Sequence, residues 1–366
     1  MPHNFRFAIV SDLHIALPQT IENLSHRFHL VEVSIPAFEW VLTQLEPLDL
    51  DFLLLPGDLT QNGEPANHTW LVDRLSHLPY PVYVVPGNHD LPQREKTTAS
   101  IGVAEFGQYY GKFGYESPQL YYCTEVLPDV HLIGLNSNAY DAQGKQLGWG
   151  HIDAEQLQWL ESTLSTLQDK LVLVMVHHNA IEHLPGQSTN SLGRRYMIDN
   201  AGDLLKILRS AGVQLIFTGH LHIQDIAEQQ GIYDITTGSL VSYPHPYRIL
   251  HYRQDDRGAT LQIESGRVRS LPDWPDLLTT SREWMADRSL PFMLKLLTES
   301  PVNLSLAAAE PLAPHLRYFW ADIANGDAQF DFRDFPPVAR QYLERFGAIA
   351  ADGTVCAIDN ASSIAL

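Results

Sequence analysis

Residues 82–90 read VYVVPGNHD: a short apolar run, a proline and a glycine that stop it, then Asn88, His89 and Asp90 in succession. A run this short, rich in valine and closed by turn-forming residues, is how a strand buried on both faces reads. The polar residues that follow therefore sit at the end of a buried strand, where open α/β folds put their ligand sites.

Four other segments repeat the arrangement. FRFAIV precedes Ser11, Asp12, Leu13 and His14; DFLLLP precedes Gly57 and Asp58; LVLVMV precedes His177 and His178; LIFT precedes Gly219, His220, Leu221 and His222. Asp12, His14, Asp58, Asn88, His177, His220 and His222 thus all fall at or just past the end of such a run. The expectation is that five strand ends meet on one rim of a sheet and gather these side chains there. Singly, a Gly-Asp after a strand is an ordinary turn; all five together are a site.

Between the strands the period becomes helical. Ile35, Phe38, Leu42 and Leu45 share a face, as do Leu157, Leu160, Leu164 and Leu167 behind an Asp153 that can cap the helix, with Gln156 at N3. Leu204, Leu205 and Leu208 repeat the pattern before Gly212, a C-terminal stop. After His222 the runs IQDIAEQQ, IYDITTGSL, YRILHYRQ and ATLQIES predict antiparallel strands, and a second sheet packed on the first gives a layered α/β sandwich. From about Leu271 the texture changes: LPDWPDL reads as a linker, and Leu312, Leu316, Phe319, Trp320 and Ile323 have the spacing of one amphipathic helix. The expected division is residues 1–268 as a catalytic unit and 269–366 as a mostly helical unit, with a lid or a homodimer contact as its open roles.

The chain of 366 residues carries 24 basic and 43 acidic residues, a formal charge of −19. That balance disfavours broad attraction to nucleic acid or to an anionic membrane. Two cysteines, Cys123 and Cys356, give no disulfide framework, and the start has no secretory pattern, so a cytoplasmic protein is expected.

The seven side chains offer two carboxylates, four imidazoles and an amide. Asp12 with His14, and His220 with His222, stand at i, i+2, so in an extended chain each pair points one way toward one ion. Asp58 has two oxygens with which to bridge. Such a set suits Zn, Mn or Fe(II) and has too few oxygens for calcium. Two divalent ions and two carboxylates leave a charge of about +2, which draws in a phosphate, and a pair of ions can activate a bridging hydroxide for in-line displacement.

The ordered set D-x-H, G-D, G-N-H-D, a histidine closing a strand, and G-H-x-H resembles the calcineurin-like metallophosphoesterase superfamily. GDLTQNGEPANHTWLVDRL, YPVYVVPGNHD, GWGHIDAEQLQWLESTL and GHLH in one register resemble its class III cyclic nucleotide phosphodiesterase branch, over roughly residues 5 to 250. The resemblance implies a four-layer α/β/β/α sandwich of two packed mixed sheets. It also implies one metal held by Asp12, His14, Asp58 and His222, and another held by Asp58, Asn88, His177 and His220. His89, beside Asn88, then faces the phosphate as catalytic acid, and Asn88 and His89 together meet the substrate. The activity implied is hydrolysis of a small phosphodiester such as a 3′,5′-cyclic nucleotide. Phosphomonoesters, glycerophosphodiesters and nucleotide pyrophosphates are alternatives for the same ligand set, and a non-catalytic binding protein or a DNA nuclease is disfavoured by the complete ligands and the charge.

Two departures stand out. His177-His178-Asn179-Ala180 replaces the more usual His-His-Pro-Pro, predicting a less rigid loop, and Asn136 stands in the more usual Leu-Asp-Ser. Four residues keep two readings each. His178 and Asp90 can orient ligands or serve structure, and Arg194 and Arg195 can reach a substrate or lie in a solvated loop.

Overall fold

A computed structural model describes residues 3–22, 27–256, 258–350 and 352–366. The strands are β1 (Asn4–Ile9), β2 (Phe52–Leu55), β3 (Val82–Val84), β4 (Tyr122–Leu127), β5 (Val130–Gly134), β6 (Leu171–Met175), β7 (Leu215–Thr218), β8 (Asp225–Gln229), β9 (Ile232–Thr236), β10 (Pro246–Asp255), β11 (Gly258–Arg267) and β12 (Ser362–Ala365). They form two six-stranded mixed sheets, ordered β12-β11-β10-β1-β2-β3 and β4-β5-β6-β7-β9-β8.

The helices are α1 (Ser34–Leu45), α2 (Pro65–Leu75), α3 (Val103–Tyr110), α4 (Ala154–Thr166), α5 (Ala201–Ser210), α6 (Leu277–Thr298), α7 (Leu306–Ala309), α8 (Phe319–Asn325) and α9 (Pro337–Leu343). The result is the four-layer α/β/β/α sandwich with a helical C-terminal extension. Among the described residues no helix is long and apolar enough to cross a membrane.

The two sheets share a core. Phe7 of β1 stacks on Phe52 of β2 at 4.9 Å and meets Phe217 of β7 edge-on at 5.4 Å, all three wholly buried. Burying such a ring contributes roughly 1.5–3 kcal/mol, so these contacts clamp the sheets face to face. On the other face of the second sheet, Val174 and Ile216 pack with Leu160 and Leu164 of α4 and Leu204 and Leu208 of α5. Asp153 caps α4 by accepting the Gln156 N–H at 2.8 Å. The Gln156 side chain, predicted to close a capping box, instead pairs with both main-chain groups of Asn136 at the end of β5.

Two expectations about the sheets are corrected. The five ligand-bearing strands do not line one sheet: β1, β2 and β3 belong to the first, β6 and β7 to the second. The strands after His222 do not form a sheet of their own. The β8–β9 hairpin extends the second sheet beside β7, and the β10–β11 hairpin extends the first beside β1. Periodicity identifies a strand but carries no information about its neighbours, which is why the ladder escaped prediction.

The C-terminal segment is helical as expected, but the amphipathic stretch 312–323 is broken. A 3₁₀ turn over Ala313–Leu316 precedes α8, because Pro314 has no N–H to continue an α-helix. Leu316, Phe319 and Ile323 are nevertheless buried on one apolar cluster with Met293, Leu297 and, from the G-H-L-H turn, Leu221. β12 then returns to pair with β11 in the first sheet.

Candidate metal centre

The rims of the two sheets meet where the five strands end. Asp12, His14, Asp58 and His222 bring one ligand atom each to within 4.8 Å of one another, and so do Asp58, His177 and His220. Asp58 belongs to both groups. Its Oδ2 lies 3.6 Å from His14 Nε2 and 3.4 Å from His177 Nε2. Asn88 joins the second group through Oδ1, 3.1 Å from His177 Nε2. All seven predicted residues therefore converge.

The backbone that achieves this is strained. Asp12, His14, Asp58, His220 and His222 have φ of 51°, 42°, 48°, 65° and 59°, the left-handed region that non-glycine residues seldom enter. The i, i+2 argument is corrected accordingly: the turn after β7 is not extended, and it sends His220 to one group and His222 to the other. Close approach also requires two glycines. A Cβ on Gly87 would lie 2.1 Å from Asp58 N, and one on Gly219 would lie 2.2 Å from Ser11 Oγ and 2.5 Å from Asp12 Oδ2.

Hydrogen bonds fix which imidazole nitrogen each histidine presents. His177 Nδ1 donates to the Pro56 carbonyl at 2.8 Å, leaving Nε2 toward Asp58. His220 Nε2 bonds the Arg195 carbonyl at 3.2 Å, leaving Nδ1. His222 Nε2 is 3.0 Å from Asp12 Oδ1. His89 Nδ1 donates to the Gln61 carbonyl at 2.7 Å, so its Nε2 is the free nitrogen, while its main-chain N–H donates to Asp58 Oδ1 at 2.8 Å.

Burial and mutual charge dominate the electrostatics. Burial, then the neighbouring His29 and His89, holds His14 well below the ordinary histidine range. Burial, then His178 and His177, does the same to His220. Burial pulls His177 down, yet Asp58 more than reverses it and takes the ring up to about 9. Burial alone would raise Asp58, but His177, His89 and His14 hold it well below the carboxylate range.

The donor set passes a direct test of fit for metal. Both nitrogens of His14 and Asp58 Oδ2 are buried without a hydrogen-bond partner among the described residues. Orphaned buried groups cost ~1–3 kcal/mol each, and they are tolerated where another species satisfies them. Neutral imidazoles and carboxylates a few ångströms apart are what borderline divalent cations bind.

The residues left with two readings now divide. Asp90 accepts from the N–H groups of Gly87 and Leu59 through Oδ2, at 2.9 and 3.0 Å, and from Thr60 N and Oγ1 through Oδ1, at 2.8 and 3.0 Å. It ties the Asp58 loop to the Asn88 loop. Burial, then the Asp58 charge, pushes it up to about 7. His178 bonds Ser137 Oγ at 2.8 Å and packs on His220 at 4.3 Å, a positioning contact. Arg194 lies over Trp149, and Arg195 lines the cavity above the site.

The loop after His177, predicted to be less rigid, is instead tied down. Asn179 Nδ2 donates to Thr218 Oγ1, and buried Asp234 accepts the Ala180 and Ile181 N–H groups. His29 was missed altogether. Its ring lies 4.1 Å from His14, and it forms a further ligand-type group with His14 and His222. It sits in a loop with no strand before it, so no sequence signal pointed there.

Comparison with known proteins agrees with this geometry. The chain belongs to the calcineurin-like phosphoesterase family, whose model matches residues 5–224. It is 31% identical over 176 residues to a protein of Arcobacter nitrofigilis named as a probable glycerophosphodiester phosphodiesterase, GpdQ. That match covers 47% of this chain and 56% of the relative. It is 26% identical over 219 residues to a 3′,5′-cyclic-nucleotide phosphodiesterase of Nostoc, covering 59% of this chain and 70% of that one. A dimetal phosphatase from Danio rerio shares the fold, with a TM-score of 0.51 at 18% identity over 72% of this chain and 96% of its own.

Proposed function

We propose that this chain is a dinuclear metal-dependent phosphodiesterase that hydrolyses a small phosphodiester. The observation that carries the reading is Asp58, a buried carboxylate shared by two ligand groups, whose Oδ2 lies between His14 Nε2 at 3.6 Å and His177 Nε2 at 3.4 Å. One ion would be held by Asp12, His14, Asp58 and His222, the other by Asp58, Asn88, His177 and His220. Two divalent ions there supply charge that lowers the pKa of an attacking water and neutralises phosphate oxygens, whether they are Mn, Fe or Zn.

The chain's own residues do the rest. Asn88 and His89 leave one turn, so an amide and an imidazole border the same small space beside Asp58. His89 is fixed through Nδ1 by the Gln61 carbonyl and directs Nε2 to the leaving oxygen. A diester expels an alkoxide, which a positioned proton donor stabilises, typically by 10²- to 10⁴-fold. The reading takes residues 1–268 as the catalytic unit, its first sheet completed at one edge by β12, and the helices of the segment 269–366 as a lid.

The names of the two relatives bring forward cyclic nucleotides and glycerophosphodiesters as diester classes. A side-by-side assay with Mn²⁺ of bis(4-nitrophenyl) phosphate, 4-nitrophenyl phosphate, cyclic AMP and glycerophosphocholine tests the proposal. Diester turnover above monoester turnover is expected; monoester turnover far above every diester would end the diesterase reading.

A further inference from the structure

Above the two ligand groups the chain encloses a cavity of about 570 Å³. Its floor is polar, made by His29, Asp58, Asn88, His89, His220 and His222. Its far wall is contributed by the C-terminal helices: Met285, Phe292, Met293 and Leu296 of α6, Phe319 of α8 and Tyr342 of α9. A site for a purely polar diester has no use for such a wall.

Three polar side chains beside that wall already hold partners within the protein. Ser289 Oγ lies 2.8 Å from the Ala286 carbonyl and 3.0 Å from that of Arg317. Gln187 donates to Asn179 Oδ1 and accepts from the N–H groups of His183 and Leu184. Asn190 accepts from Leu192 N, and its amide donates to the Tyr342 hydroxyl. Against α6 itself, sugar hydroxyls or base edges would exchange water for an apolar surface of Met285, Phe292, Met293 and Leu296, at a cost an aliphatic arm does not incur.

Phe319 and Tyr342 both meet Phe346 steeply, at 62° and 85°, with centroids 5.4 and 5.2 Å apart, so Phe346 braces the two rings. Met285 and Met293 supply flexible, polarizable surface that moulds to a flexible guest.

Arg27 lines the same cavity and is 7% exposed; its Nη2 pairs with Glu32, and its guanidinium lies over the Trp284 ring at 5.9 Å.

We infer that the substrate is an amphiphilic phosphodiester, one ester arm of which is a straight aliphatic chain lying against α6. The inference rests on the phosphodiesterase reading and narrows it to a lipid-like diester over a cyclic nucleotide.

The test uses the full chain loaded with Mn²⁺ and the methyl, butyl and octyl esters of 4-nitrophenyl phosphate. In each, water adds its oxygen to phosphorus, the P–O bond to the aryl group breaks, 4-nitrophenolate leaves, and the alkyl phosphate remains. Each methylene buried in the cavity is expected to raise kcat/KM ~4-fold, equivalent to ~0.8 kcal/mol, so about 10²-fold from methyl to octyl if half of the added chain is buried and ~10⁴-fold if all of it is. Met293→Gln, and Leu192→Trp on another part of the lining, should each shrink the octyl-to-methyl ratio at least ~10-fold.

A flat or falling series with good methyl-ester turnover overturns the inference and leaves the hydrolase reading standing. Absence of turnover with every ester overturns the hydrolase reading instead. Calorimetric titration with octyl phosphate and methyl phosphate then decides the cavity independently: tighter octyl binding supports the aliphatic site, and equal or undetectable binding removes it.

Discussion

Asp58 divides its two oxygens: Oδ1 accepts the main-chain N–H of His89 at 2.8 Å, while Oδ2 lies between the two ligand groups, 3.6 Å from His14 Nε2 and 3.4 Å from His177 Nε2. The same contact orients the proposed bridging carboxylate and fixes the start of the proposed acid. Bridge and acid are thus mechanically joined, and separate substitutions should have separable effects.

Asp58→Asn removes the shared charge and puts an amide where Oδ2 now stands. Both ions should weaken together. Metal content by plasma mass spectrometry is expected to fall from about two per chain, and turnover by ~10³-fold or more, given the several kcal/mol that metal-derived charge stabilisation supplies. Two retained ions with wild-type turnover would remove Asp58 from the centre.

His89→Ala should leave metal content unchanged, because its ring belongs to neither of the two groups that share Asp58. Its effect should depend on the leaving group. For an alkyl diester, whose alkoxide needs a proton, kcat should drop ~10²- to 10⁴-fold. For a 4-nitrophenyl ester, whose anion leaves unaided, the drop should be much smaller. Equal losses for both esters would make His89 a phosphate-binding group without an acid role.

How far the sequence could be read follows from what each signal encodes. β2 and β7 were legible because a short apolar run, FLLL in one and LIF before Thr218 in the other, closed by a turn is how a strand buried on both faces reads. The residues beyond them were legible for the same reason. Sheet membership was not, because Phe7 and Phe217 read alike although they come from opposite sheets. The parting of His220 from His222 depends on two left-handed φ angles, which neither histidine announces. His29 and Arg27 reach the cavity through tertiary folding of a loop with no periodic pattern. Of the cavity wall only Phe319 was visible, within a helical period, and nothing in that period says what it faces; α6 was not read at all.

Asp90→Asn tests the tie between the Asp58 and Asn88 loops. The carboxylate accepts from three main-chain N–H groups and one hydroxyl with two oxygens. An amide keeps one acceptor and turns an NH₂ toward donors. Thermal unfolding should show a loss of ~1–3 kcal/mol for the abandoned buried donors, and metal affinity should fall ~10- to 100-fold through loosened ligands. Unchanged affinity with lowered stability would show that Asp90 holds the fold and not the centre.

The last prediction concerns a charge pair outside the centre. His183 has a fully buried side chain, with Nδ1 2.5 Å from Asp225 Oδ2 and Nε2 3.4 Å from Asp234 Oδ1. Burial alone would lower it, but Asp234 and Asp225 overcome that and carry it up to about 9. A histidine raised above its unfolded value of ~6.5 stabilises the fold fully below that pH, and the contribution disappears as pH climbs through its folded value. Asp359, pushed up to about 8 by burial and then by the Asp225 charge, acts in the same direction: the folded chain holds its proton longer than the unfolded one. The His183 contribution should therefore be lost between about pH 6.5 and 9, on the order of 3 kcal/mol at ~1.4 kcal/mol per unit, while the loss from Asp359 sets in from about pH 4 and ends near 8. Urea unfolding at pH 6 and pH 9.5 reads it directly. In His183→Gln the protein should be weaker at pH 6 and should lose much less on going to pH 9.5, so the two unfolding free energies converge in alkali. Parallel pH curves for the two proteins would mean that His183 is not charged in its pair with Asp225 and Asp234.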